Sequence, residues 1–178
     1  MTLLSLREID KMSVTILMDN YTDMPSSSTA VRAPMLMNET SFLYPIAEHG
    51  FSAIIEILYN DTNKKNRFLF DTGVSENGIL YNADLFGIDF RTIEAIVLSH
   101  GHMDHCRGLV NVLKRMFKPI DIIVHPDAFL KRWVFLGGKI EKIPTLDENE
   151  LRNNAAILHK IKDMSYLPLI NCCTSRHG

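Results

Sequence analysis

The sequence predicts an α/β fold, a mixed β-sheet covered by helices, and three observations lead there. Two apolar runs rich in branched residues, Ser52–Tyr59 and Arg67–Asp71, flank a set of turn formers and read as an antiparallel hairpin. Beyond them, short buried-strand runs alternate with segments of helical period, which favours parallel neighbours with helices packed on the sheet. A length of 178 residues suits one domain with a sizeable core.

Taken in order, residues 1–13 form a lead-in. Val14–Asn20 is rich in branched residues, ends at polar groups and predicts the first strand. Tyr21–Asn38 carries Pro25, Pro34 and a run of serines without a period, so it reads as a long loop, either an active-site flap or a surface loop. Ser52–Tyr59 is the second strand and Arg67–Asp71 the third, with Asn60–Asn66 as the turn between them. Asp71-Thr72-Gly73 ends that strand with a carboxylate, a hydroxyl and a permissive glycine. Ile79–Phe86 has apolar residues at helical spacing, and Gly87 is placed to cap it.

Thr92-Ile93-Glu94 leads into the apolar strand Ala95–Leu98. Leu109, Val110, Leu113, Met116 and Phe117 recur at three- and four-residue steps, an amphipathic helix that stops before Pro119. Asp121–His125 is a short buried strand, and Pro126–Arg132 fits a helix with proline in its first turn. Trp133, with Phe129, Leu130 and Leu136, is expected to pack in the core. Gly137-Gly138 turns the chain, and Lys139–Ile143 alternates like a half-exposed strand. From Leu146 on, capping residues and partial helical periodicity predict a helical stretch that reaches His159. The expected domain spans 14–163, followed by an unpatterned tail over 164–178.

Composition narrows the function classes. Nineteen basic residues against 21 acidic ones leave no electrostatic footprint for nucleic acid or an anionic membrane. No run approaches the ~20 apolar residues of a membrane span. Arg7, Glu8, Asp10 and Lys11 interrupt the opening residues before a signal-peptide core can form. Three cysteines, Cys106, Cys172 and Cys173, argue against a disulfide framework and for a reducing compartment, so a cytoplasmic location is expected. Cys106 reads as a small buried residue rather than a reactive thiol.

The chemistry is concentrated in Ser99-His100-Gly101-His102-Met103-Asp104-His105, directly after the apolar strand. His100, His102, Asp104 and His105 place four potential ligands within six residues. Their spacing mixes the strand step of two with the helix step of three, so a turn at a strand end is the backbone that best brings them together. Imidazole with carboxylate suits zinc and other borderline divalent ions. The cluster therefore predicts a metal site.

With Asp71-Thr72-Gly73, the His-x-His-x-Asp-His run and Gly108-Leu109 in view, the sequence resembles the metallo-β-lactamase superfamily. Met18-Asp19-Asn20, Ala47–Ser52, Tyr81–Asp84 and Leu98–His102 are similar to its dihydropterin–ribofuranosylaminobenzene-phosphate synthase-like branch. The resemblance implies an αββα sandwich with mixed sheets and a metal site at one edge. It implies His100 and His102 as ligands of a first metal, Asp104 and His105 as ligands of a second, and Asp71 as a carboxylate supporting the metal loop. Asp104 would also orient the attacking water. Zinc is the expected metal, with iron or manganese as alternatives, and the substrate would be a small, phosphorylated molecule.

The family's further ligands, a third His, a bridging Asp and a final His, have no matching context here. His125, His159 and His177 are the candidates by residue type alone. The chain is accordingly expected to be the first half of such a protein. Its expected function is metal-assisted hydrolysis of an ester or phosphoester, or a related pterin-linked group transfer. The alternative is a catalytically impaired metal-binding chain that needs a partner or forms a homo-oligomer.

Overall fold

The computed structural model describes residues 9–21, 36–38, 41–59 and 64–162. Strands β1 (Lys11–Met18), β4 (Ser52–Tyr59) and β5 (Lys64–Phe70) join β6 (Ile93–Val97), β7 (Ile120–Val124) and β10 (Ala156–Lys160) in a six-stranded sheet, in the order β1-β4-β5-β6-β7-β10. Two small hairpins stand apart from it, β2 (Leu36–Asn38) with β3 (Ser41–Leu43), and β8 (Arg132–Leu136) with β9 (Lys139–Ile143). Helices α1 (Gly78–Leu85), α2 (Met103–Cys106), α3 (Leu109–Met116) and α4 (Glu148–Asn153) occupy the crossovers. The expected α/β class is borne out, with a mixed sheet.

The sheet changes character at β5. β1, β4 and β5 pair antiparallel, with Ile54 opposite Leu69, while β5, β6, β7 and β10 pair parallel, with Leu69 opposite Ile96 and Ile96 opposite Ile122. Directly paired residues share a face, so Ile54, Leu69, Ile96 and Ile122 form one buried row. They meet Ile79, Ala83, Leu109, Val112, Leu113, Met116 and Leu151 from the helices in a single core. The parallel strands end together at their carboxyl edge, where open α/β sheets place their chemistry.

The other face of the sheet carries no helix among the described residues. Met12, Val14, Ile16 and Ile157 are exposed there, and Ile55, Phe68, Phe70, Val97 and Ile123 are half-buried. One sheet with one layer of helices is thus half of the four-layer sandwich that the resemblance implies.

Local chemistry sets the ends of the elements. Gly87, at φ +66, reverses the chain after α1, and its N–H donates to the Asp84 carbonyl. α3 ends at Met116, three residues before Pro119, because Phe117 itself takes the left-handed conformation at φ +53. Asp147 caps α4, accepting from the N–H groups of Asn149 and Glu150.

Several expectations need correction. β1 begins at Lys11 rather than Val14, because its pairing with β4 runs on to Leu58. β5 begins at Lys64, inside the expected turn. Only Pro126–Phe129 is helical in the 126–132 segment, as one 3₁₀ turn, and Arg132 then opens β8. Trp133 and Leu136 are more than half exposed, at 57% and 62%, because among the described residues β8 pairs with β9 and not with the main sheet; Leu130, at the end of the 3₁₀ turn, is 57% exposed. His159 lies in β10, parallel to β7, rather than in a helix. The 164–178 tail, and all of the expected Tyr21–Asn38 loop except Tyr21 and β2, fall outside the described residues.

Glu56 of β4 sits opposite Arg67 of β5 and accepts a 2.7 Å hydrogen bond from its guanidinium, with the Lys65 ammonium at 3.1 Å. The Arg67 hydrogen bond, aided by Lys65, holds the Glu56 carboxyl below its ordinary value of 4.5. A carboxyl depressed on folding stabilises the protein above its unfolded pKa, and that stability is lost as pH falls through the folded value. Glu56→Gln should cost about 0.5–1 kcal/mol at pH 7. In urea unfolding followed across pH, the gap between variant and native chain should close on acidification below about pH 4.5.

Candidate metal centre

Asp71 terminates β5 in the left-handed region, at φ +54, and is fully buried. A non-glycine residue holds that conformation only where its surroundings compensate. Here the main-chain N–H donates to the Val97 carbonyl at 3.0 Å, and the carboxylate accepts three bonds. Oδ1 takes the Ser99 N–H at 2.8 Å, while Oδ2 takes the Ser99 hydroxyl at 2.6 Å and faces His105 Nδ1 at 2.8 Å. Thr72 continues the clasp, its N–H donating to the His105 carbonyl at 2.7 Å.

These bonds assign the imidazole tautomers. With Asp71 taking the Nδ1 proton side of His105, its Nε2 presents a lone pair. Ser99 donates to Asp71, so its oxygen accepts from His100 Nδ1 at 2.8 Å, and His100 Nε2 is likewise left as an acceptor. One buried carboxylate thus orients His105 directly and His100 through a hydroxyl, the arrangement that fixes metal-ligating histidines. Burial, then the neighbouring His105 and His102, holds His100 below its ordinary pKa, which keeps the ring in the neutral form a ligand requires.

The strand end and the short helix α2 bring the four predicted residues together. His100 and His105 ring centroids are 4.3 Å apart, and those of His100 and His102 are 4.6 Å apart. His105 Nε2 lies 3.5 Å from Asp104 Oδ2, a lone pair facing a carboxylate. His100 Nε2 faces His102 Nδ1 at 2.9 Å. Among the described residues, no three His, Cys, Asp or Glu side chains are spaced as a ready metal cage. The donor set itself fits a borderline divalent ion, with imidazole nitrogens bearing free lone pairs beside a carboxylate. His102 is exposed, so its ring can reorient on the fast timescale of surface side chains.

The backbone packs closely around this cluster. A Cβ on Gly101 would sit 2.1 Å from the Ala128 carbonyl oxygen, so the metal loop lies directly on the 126–129 turn. Arg132 closes the same region, donating to the carbonyls of Gly101, Ala128, Leu130 and Asp127. Cys106 is buried beneath the loop and donates to the His102 carbonyl at 3.0 Å; burial pushes its thiol up to about 12, leaving it inert.

The histidines chosen by type alone sit elsewhere. His125 caps the 3₁₀ turn, its Nδ1 accepting from the Asp127 N–H. His159 pairs with Asp121 at 2.7 Å on the uncovered sheet face. His177 lies outside the described residues.

Sequence reasoning assigned no role to the loop before β4. Its sole signal was position within the Ala47–Ser52 resemblance. The Glu48 carboxylate accepts from the Ser75 N–H and hydroxyl, and the Glu48 N–H donates to the Asp19 carbonyl. The buried Asn82 side chain binds both the N–H and the carbonyl of Ile46, and reaches the Leu17 carbonyl. Phe51 N–H donates to the Asp104 carbonyl at 3.2 Å. Between these anchors, His49 Nε2 lies 3.3 Å from Asp104 Oδ2.

Asp71→Ala should destabilise the fold by about 3 kcal/mol, since it removes charge-assisted bonds and strands the Ser99 donor. Urea unfolding without added metal measures this.

The family model of the metallo-beta-lactamase superfamily matches residues 49–159. The chain is 41% identical over 83 residues to 7,8-dihydropterin-6-methyl-4-(beta-D-ribofuranosyl)-aminobenzene-5'-phosphate synthase of Methanocaldococcus jannaschii, a match covering 47% of this chain and 28% of that protein. It is 40% identical over 99 residues to the uncharacterized protein MJ0448 of the same organism, covering 56% of this chain and 36% of that one. The matches therefore span about a third of these relatives' lengths. Among solved structures, the metallo-beta-lactamase fold protein YhfI from Bacillus subtilis superposes with a TM-score of 0.44 at 16% identity, over 85% of this chain and 47% of that one. With the family model spanning more than half of its 178 residues, including the histidine cluster, the chain belongs to the metallo-beta-lactamase superfamily.

Proposed function

We propose that this chain carries the first half of the active centre of a metal-dependent hydrolase acting on an ester or phosphoester, or on a related pterin-linked group transfer. The observation that carries the reading is the single buried carboxylate of Asp71 orienting His100 and His105 toward one side, beside His102 and Asp104.

A divalent ion such as zinc supplies an acidified water and positive charge for a leaving oxygen. His100 and His102 would hold one ion, and Asp104 and His105 a second. Asp71 and Ser99 keep the Nε2 lone pairs of His100 and His105 presented throughout. Asp104, as the carboxylate at the cluster, can accept the proton of an attacking water and align it. The named relative's phosphate suggests a phosphorylated small molecule as substrate. His100 and His102 supply two protein ligands, fewer than the three that catalytic zinc sites keep. Weak binding and slow turnover by this polypeptide follow.

A second reading has one observation in its favour, the apolar sheet face of Met12, Val14, Ile16 and Phe68. On that reading the polypeptide works only against a partner or a second copy that covers the face.

Equilibrium dialysis of the purified 178-residue chain against zinc should show weak binding, and His100→Ala and His102→Ala should each lower the amount of zinc bound by removing the first of the two sites. Hydrolysis of bis(p-nitrophenyl) phosphate should be slow and metal-dependent. A chain that takes up no zinc overturns the proposal, and two tightly held ions with rapid turnover overturn the half-site reading. Light scattering with and without zinc decides between the readings: a monomer favours the first, a dimer the second.

A further inference from the structure

We propose that His49 is a metal ligand, sharing one divalent cation with Asp104 and His105. This rests on the metal-centre reading above and extends it to a residue outside the His-x-His-x-Asp-His run.

Distances carry the argument. Two ligands of one tetrahedral zinc, with bonds of about 2.0–2.1 Å, sit about 3.3 Å apart. His49 Nε2 is 3.3 Å from Asp104 Oδ2, and His105 Nε2 is 3.5 Å from that same oxygen. Each of these two pairs therefore sits near the separation of two donors on one ion; the three do not form a closed cage as they stand, and the exposed His49 ring would turn to complete it. Asp71 occupies Nδ1 of His105, so the nitrogen facing Asp104 bears a lone pair. A cation between lone pair and carboxylate turns that opposition into coordination.

The backbone around His49 supports a ligand role. Gly50 takes φ +125 and approaches Asp104 so closely that a Cβ would lie 2.1 Å from its carbonyl oxygen. Phe51 N–H donates to that same oxygen, and the Phe51 carbonyl accepts from the Gly73 N–H at 3.0 Å. On the other side, Glu48 is tied to Asp19 and Ser75. An exposed imidazole, 82% accessible, thus projects from a main chain held to the metal loop on its Gly50–Phe51 side and to Asp19 and Ser75 on its Glu48 side. A plain surface ion pair contributes about 0–1 kcal/mol and requires no such fixing. Ligands do require it, since metal geometry tolerates little displacement.

The test uses the full chain with zinc alone, and with Co²⁺ alone as a visible-absorption probe. Competition with a fluorescent chelator should show His49→Ala weakening one class of zinc site by about 100-fold or more. The Co²⁺ absorption of the chain should change in the same variant. His49→Gln retains an N–H for Asp104 but no imidazole nitrogen, and should lose affinity like the alanine variant. Metal-free urea midpoints should match the native chain, because the side chain is exposed. Native-like zinc affinity and Co²⁺ spectrum in His49→Ala overturn the ligand assignment while leaving the metal centre standing. Native-like binding in His49→Gln alone overturns it too, reducing His49 to a hydrogen-bond donor. A native chain that binds neither ion overturns the metal-centre reading, and this assignment with it.

Discussion

The Asp71 carboxylate is the contact on which the functional edge of the sheet depends. It joins the end of β5 to the loop after β6 through Ser99, and to α2 through His105. The left-handed backbone at φ +54 aims the carboxylate there, a conformation costing about 1–3 kcal/mol. The hydrogen bonds it receives from Ser99 and His105 offset that strain and prevent the loop from choosing other arrangements. It decides which ring nitrogen carries the proton in His105 and, through Ser99, in His100.

Much of this was legible in the sequence, for identifiable reasons. β4 follows from its branched apolar run, and α3 from its three- and four-residue apolar steps ending at a stop signal. The metal cluster is legible because four ligand types within six residues leave few structural alternatives. Asp71 is visible only through family resemblance; nothing local distinguishes it from any aspartate that closes a strand. β10 was hidden because Ala156–Lys160 is short and half-exposed, and its strand character comes from parallel pairing with β7, a long-range contact. β8 was hidden because Trp133 and Leu136 look like core residues, while the hairpin pairs within itself and leaves them exposed. Tertiary context overrode composition in both cases.

Ser99 and the loop at 46–51 show a different kind of opacity. Their importance comes from the hydroxyl, the carboxylate of Glu48 and the backbone of Gly50, common features with no sequence signature. Only the fold reveals that Asn82, on α1, and Glu48, on the loop, fasten the same segment whose Phe51 N–H reaches Asp104. Support for the centre is therefore spread over β1, α1, β4 and β5, while the ligands named by motif occupy one turn.

The parallel register of β5, β6 and β7 places Asp71, Ser99 and His125 at one rim, above the packed rows. Ile54, Leu69, Ile96 and Ile122 form the buried row that holds the sheet, and none of them is a candidate ligand. The apolar rows and the candidate ligands thus occupy different levels of the same strands, joined at Asp71. Such a scaffold can diversify: rim segments can lengthen, shorten or exchange side chains while the rows below preserve the architecture. A lineage built on it can change what it transforms without relearning how to fold.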